Sequence, residues 1–154
     1  MAREKKTASL EAMTTHVQHQ ASFTVSTPGR SLVEVTRQVA SIVAASGVTT
    51  GLVTVFCQHT SASLVIQENA DPSASRDLLA WFERLAPDGD PRYAHSAEGP
   101  DDMPAHLRSA VTKTSETLPI TRGQLNIGTW QGLFLFEHRT SPHQRTLVIH
   151  CHGV

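Results

Sequence analysis

The C-terminal part of the chain carries three β-rich runs in close succession, residues 116–121, 129–138 and 145–152, with turn residues at Gly123 and Ser141-Pro142 between them. Strands that follow one another without an intervening helix pair antiparallel, because a parallel return needs a crossover of about a dozen residues or more. This favours an α+β fold, a mostly antiparallel sheet or sandwich layered with two to three helices, over a doubly wound sheet.

Upstream the pattern is mixed. Residues 17–25 alternate, with Ala21, Phe23 and Val25 on one face, which predicts a half-buried strand. A turn follows at Thr27-Pro28-Gly29. Residues 31–46 are predicted as a helix: Ser31 as N-cap, Glu34 completing a capping box, Leu32, Val35, Val39, Ile42 and Val43 on one face, and Gly47 as the stop. Residues 51–57 are predicted as a central strand and residues 63–67 as a shorter one. Asp71 and Pro72 open a further helix as N-cap and first helical residue, with Leu78, Leu79, Phe82 and Leu85 as its apolar stripe. Residues 86–102, rich in Pro, Gly and Asp, form the longest irregular stretch, and loops of this length inside a domain are often functional. The last helix is expected to hold Pro104 in its first turn and to face Leu107 and Val111 inward. Residues 1–14 are polar and aperiodic and are expected to be a loosely ordered leader, leaving 15–154 as one domain.

Bulk numbers narrow the function classes. The formal net charge is −1 and aromatic residues are 5%, so neither a phosphate-binding field nor a stacking platform for nucleic acid is expected. Neither a signal-peptide core nor a run long enough to span a bilayer is present, which makes a cytoplasmic location the expectation. Cys57 and Cys151 lie in apolar strand-like runs and read as buried thiols, and their spacing excludes a zinc ribbon or redox pair. Nine histidines are many for this length, and histidine is both the commonest metal ligand and the near-neutral acid–base group.

Position decides which histidines matter. His59 ends a strand and precedes Thr-Ser-Ala-Ser, where a ligand can approach the backbone; a surface turn residue is an equal reading. Glu68-Asn69-Ala70-Asp71 stands at a helix mouth, where Asp71 has the structural job of a cap and Glu68 and Asn69 have none. His95 in the long loop and His106 in the following helix can converge on one metal with a carboxylate nearby. Gly128-Thr129-Trp130-Gln131-Gly132 suggests close backbone approach or a bulge and leads into Glu137-His138-Arg139, whose arginine suits a phosphate or carboxylate. His138, His150 and His152 form a competing cluster without a carboxylate.

Together these segments resemble the YjbQ family, also called the secondary thiamine-phosphate synthase family. The resemblance rests on Gln58-His59-Thr60-Ser61-Ala62-Ser63-Leu64, Glu68-Asn69 with Asp71-Pro72, Glu98-Gly99 with Asp101-Asp102-Met103-Pro104 and His106, Leu118-Pro119, Gly123, Gly128 to Gly132 and Glu137-His138-Arg139, in order from about Thr15 to the end. It departs at Ala94, where the family often has Glu, and at Gln67, His150 and Val154. The resemblance implies a homotrimer with polar pockets near subunit boundaries and a divalent metal, zinc, held by His59, His95 and His106. Glu68, Glu137 and Arg139 are the implied catalytic groups, and Asn69, Asp102, Gly128, Thr129 and Gln131 the implied substrate contacts. The implied activity forms thiamine phosphate, as the thiazole phosphate nitrogen displaces pyrophosphate from an aminopyrimidine pyrophosphate. Two alternatives stand beside it: zinc-assisted hydrolysis of a small phosphorylated or acylated molecule with Glu68 or Glu137 as base, and a non-catalytic trimer that binds metal or a small anion. Neither nucleic acid nor a membrane is an expected partner, and replacing either glutamate by Gln is expected to leave metal content and trimer intact while catalysis falls by about a hundredfold or more.

Overall fold

In the computed structural model, which describes residues 14–154, the chain forms eight strands and three helices among the described residues. The order is β1 (Val17–Thr27), β2 (Ser31–Glu34), α1 (Thr36–Ala45), β3 (Thr50–Cys57), β4 (Ala62–Glu68), α2 (Pro72–Leu85), α3 (Asp102–Val111), β5 (Ser115–Thr121), β6 (Gln124–Leu125), β7 (Gln131–Glu137) and β8 (His143–Gly153). The expected leader falls almost wholly outside the described residues.

All strand pairs are antiparallel, in a five-stranded sheet ordered β1-β8-β3-β5-β6 and a three-stranded sheet ordered β2-β7-β4. The α+β architecture expected from the consecutive C-terminal runs is present. Period-two alternation sends Val53, Val55 and Cys57 of β3 and Leu147, Ile149 and Cys151 of β8 inward, where they meet Leu133 and Leu135 of β7. Val39 and Val43 of α1 join the same core. Both cysteines are buried and unpaired, and burial pushes the Cys57 thiol up to about 11. The opposite face of β7 packs beneath α2, where Phe136 and Phe82 meet edge to face at 5.0 Å. Buried on both sides, β7 is an almost unbroken apolar run.

Three local expectations are corrected. The first turns of the expected 31–46 helix are instead β2, in register with β7 from Ser31↔Glu137 to Glu34↔Phe134. Ser31 Oγ donates to Gly29 O and Glu34 accepts from Thr36, so the anticipated capping box does not form. Ladder bonds to β7 outweigh a local cap worth about 1 kcal/mol. In α3 the buried face is Ala105, Arg108 and Ser109, and Val111 is exposed. In α2 only Phe82 of the expected stripe is buried, and Leu85 is exposed. The Asp71 cap is as expected, its carboxylate accepting from Ser73 N at 2.8 Å. Gly51 and Gly153 face each other in the β3–β8 ladder, where a Cβ on Gly51 would collide with His152 O and one on Gly153 with Thr50 O.

Candidate metal centre

Asp102 begins α3 and His106 follows one turn later, so both project from one face of the helix. The loop before the helix folds back to bring His95 Nε2 to 2.8 Å from Asp102 Oδ2, while His106 Nε2 lies 3.5 Å from Oδ1. The donor atoms of His95, Asp102 and His106 lie within 4.8 Å of one another. The carboxylate is the buried member at 3% exposure, and the imidazoles face outward at 53% and 31%.

The donor set fits a divalent cation. Two imidazoles and a carboxylate suit zinc, and also a non-haem iron centre. His106 Nδ1 lies 3.0 Å from Thr60 O; donating to that carbonyl leaves Nε2 with its lone pair toward Asp102. Arg139 orients the carboxylate, with Nη1 donating to Asp102 Oδ1 at 2.8 Å, Nε to Asp101 Oδ2 at 3.1 Å and Nη2 to Glu98 O at 2.8 Å. Asp101 is tied further by Thr140 N and Oγ1. Burial raises the Asp101 pKa, but the Thr140 and Arg139 contacts outweigh it and hold the carboxyl down at about 2. Asp101 is the N-cap by position, yet its side chain caps nothing in α3; it bridges to the β7–β8 connection instead.

The expected three-histidine set is not assembled. His59 Nε2 accepts the Thr146 amide at 2.8 Å, continuing the β3–β8 ladder by a side chain, and its Nδ1 lies 3.5 Å from Arg145 Nη1. Burial and then the Arg145 charge lower its pKa and keep the ring neutral. His59 and His106 line one shallow depression with Ser109 and Thr114, but the lone pair of His59 is already used. Asp102, expected as a substrate contact, is the third donor group brought beside His95 and His106.

Glu137 is not at the centre either. It is 0% exposed, and Arg145 grips it with Nε to Oε2 at 2.7 Å and Nη2 to Oε1 at 2.6 Å. Thr27 Oγ1 donates to Oε2 and Arg139 N to Oε1. Burial alone would raise its pKa, but these bonds, Arg145 foremost, outweigh it and keep the carboxyl below its ordinary value. A carboxylate with both oxygens filled inside a sealed sandwich is a structural anion, not a base. Arg139 is likewise committed to Asp101, Asp102 and Glu98 rather than free to clamp an anion.

The other expected site residues lie elsewhere. Glu68, Asn69, Gly128, Thr129 and Gln131 gather at the opposite end of the three-stranded sheet. Glu68 pairs with Gln131 in the β4–β7 register, and Ala62 pairs with Glu137 at the far end. Six steps of extended chain span about 20 Å, too far for both groups to touch one small substrate within one chain. The competing cluster also disperses: His150 and His152 stand together on β8 with ring centroids 5.9 Å apart, whereas His138 is buried beneath α2 and α3.

Sequence reasoning passed over Arg145, whose partner sits on a different sheet, and placed His138 only in the competing cluster rather than in a buried polar network. The His138 Nε2 lies 2.8 Å from Ser63 Oγ, which accepts from Thr112 Oγ1 at 2.6 Å. Its Nδ1 has no partner among the described residues, and the same holds for Nε and Nη1 of neighbouring Arg108. Burial, then the Arg108 charge, pushes the His138 pKa from 6.5 down to about 3. The unfolded chain binds this proton below about pH 6.5 and the folded chain only near pH 3, so the stability from a neutral His138 is present above 6.5 and lost as pH falls through that window. Urea unfolding between about pH 7 and about pH 5 is expected to show a His138→Asn variant losing less stability than wild type, by up to about 1.4 kcal/mol per pH unit. Parallel pH curves for the two proteins would show that His138 is not held neutral.

No helix among the described residues is long and apolar enough to cross a membrane. A family model described as UPF0047 protein YjbQ-like matches residues 21–154. A UPF0047 protein of Synechocystis sp. is 53% identical over 144 residues, covering 94% of this chain and 98% of that protein. The UPF0047 protein YjbQ of Escherichia coli O157:H7 is 38% identical over 136 residues, covering 88% and 98%. A crystal structure of a YbjQ-like protein of unknown function from Sulfolobus solfataricus P2 superposes with a TM-score of 0.84 at 26% identity, covering 91% of this chain and 100% of that one. A conserved hypothetical protein from Thermus thermophilus does so with a TM-score of 0.75 at 36% identity, covering 84% and 97%. Sequence and fold agree over nearly the whole length, and the chain belongs to the YjbQ/UPF0047 family.

Proposed function

We propose that the protein is a metal-dependent enzyme acting on a small phosphorylated molecule, with its ion held by His95, Asp102 and His106. The observation that carries this reading is the convergence of those three donor groups, with a buried, Arg139-oriented carboxylate beneath two solvent-facing imidazoles. When bound, a divalent cation there would neutralise charge on a phosphate or pyrophosphate oxygen.

The surrounding residues favour displacement over hydrolysis. Glu68 and Glu137, the two expected bases, are respectively at the far end of the sheet and sealed against Arg145. Displacement of pyrophosphate by a nucleophile that carries its own lone pair asks less of the protein: the new C–N bond forms as the C–O bond breaks, and pyrophosphate leaves with the electron pair. This matches the thiamine-phosphate-forming reaction implied by the family resemblance. Arg139 and Thr60 act as positioning groups, the first orienting Asp102 and the second selecting the His106 tautomer. A homotrimer belongs to the same reading, supported by Leu52 and Phe56, 40% and 44% exposed on the outward face of β3.

The test is thiamine phosphate formation from the two phosphorylated precursors, using untagged protein as purified, after chelation and after zinc is restored. Chelation is expected to abolish turnover and zinc to restore it, while Glu137→Gln should act through stability alone. Turnover indifferent to chelation would remove the metal from the reaction.

A further inference from the structure

The far end of the three-stranded sheet carries a depression of about 610 Å³ lined by Ile66, Gln67, Glu68, Trp130 and Gln131. Trp130 is 67% exposed. It is displayed by a turn that is unusually well tied down. Gly128 N donates to Gln131 Oε1 at 2.8 Å, and Gln131 N donates to Gly128 O at 3.0 Å. Asn69 N donates to Trp130 O at 3.1 Å, and Asn69 Nδ2 donates to Gln131 O at 3.4 Å. Gly132 anchors the turn from below, since a Cβ there would sit 2.8 Å from the Phe134 ring and 3.0 Å from Asn69 Cβ. Asn69, Gly128 and Gln131, expected as substrate contacts, thus spend their polar groups on holding an indole in water. An exposed tryptophan on a rigid turn gains nothing for folding and suits recognition, because little side-chain entropy remains to be lost on binding.

The charge around the indole selects the ligand. Glu68 lies in the same depression, its Oε1 accepting the Asp71 amide at 3.3 Å, while its Oε2 makes no hydrogen bond among the described residues. An adjoining depression shares Glu68 and adds Glu34 and Asp71, and neither depression is lined by a lysine or arginine. An anion would be repelled here. A cation with an apolar or flat body would place its charge on the indole face and beside the free carboxylate oxygen, two favourable contacts that reinforce each other.

We propose that Trp130 and Glu68 form a binding site for a small organic cation, a quaternary ammonium or a protonated flat heterocycle, separate from the metal centre. None of the residues that line it belongs to the metal centre, and it does not depend on a metal being bound.

The test uses choline and its uncharged isostere 3,3-dimethylbutan-1-ol, titrated into a Trp81→Phe protein in which Trp130 is the sole tryptophan. Choline is expected to change the emission saturably and to bind at least tenfold more tightly than the isostere. Glu68→Gln should weaken choline at least tenfold without altering the isostere, and calorimetry on Trp130→Ala should detect no binding. His106→Ala should bind choline like its parent, which separates failure here from failure of the metal centre. Equal binding of choline and the isostere would make the depression an apolar patch and overturn the proposal. So would an absent response, including one accompanied by a concentration-dependent blue shift showing that a second copy covers Trp130.

Discussion

Glu137→Ala is expected to destabilise the protein by about 3–5 kcal/mol, the usual cost of stripping one partner from a buried ion pair. Arg145 is 5% exposed and Glu137 is 0% exposed. With Glu137 gone, the guanidinium keeps only Ser61 as an oxygen partner, through Nη2 to Oγ at 3.0 Å and to O at 3.4 Å. Thr27 would also lose its side-chain acceptor at 2.8 Å, leaving the His143 carbonyl at 3.2 Å. Glu137→Gln should fall in the same direction, because an amide cannot offset the buried charge. The sequence alone predicts a Gln variant that keeps metal content and trimer and loses activity as a missing base; the burial of Glu137 moves the expected loss to stability. Removing both charges together, as Glu137→Met with Arg145→Met, should recover most of the loss, since the desolvation penalty vanishes with the pair. Chemical denaturation of the three variants decides it; a loss under about 1 kcal/mol in Glu137→Ala would mean that water reaches the pair.

Asp102→Ala is expected to weaken zinc binding by more than about a hundredfold, beyond the range found when a group that merely orients a ligand is removed. His106→Ala should do the same. His59→Ala, by contrast, should keep its zinc, because its Nε2 lone pair is occupied by the Thr146 amide; its cost should appear as stability, through the lost ladder bond. Competition of each variant against a chromogenic chelator measures this directly. Zinc lost on His59→Ala and retained on Asp102→Ala would restore the three-histidine centre and sink the one described above.

These two predictions sit where local pattern and tertiary structure part company. Asp71-Pro72 started a helix and Gly47 ended one because caps and φ preferences act within a few residues, and Gly47 has φ +79. The C-terminal strands were legible because alternation and turn chemistry are local too. His95 and His106 were legible as a pair because one helix and the loop before it hold them. The i,i+4 spacing of Asp102 and His106 was available as a signal for the third ligand, but the family pattern drew attention to His59.

What the sequence by itself determined was the class of the fold, most of its elements and the convergence of His95 and His106, the short-range half of the candidate metal centre. Only the tertiary structure decided which face of each element was buried, and with it the chemistry. Ser31 to Glu34 became a strand because β7 offered a ladder. Glu137 became half of an ion pair because β7 and β8, neighbours in sequence but members of different sheets, close over one interior. His59 gave its lone pair to β8. The motif residues at the two ends of β7 separated because a strand is extended: residues close in a motif list lie far apart once the backbone between them runs straight.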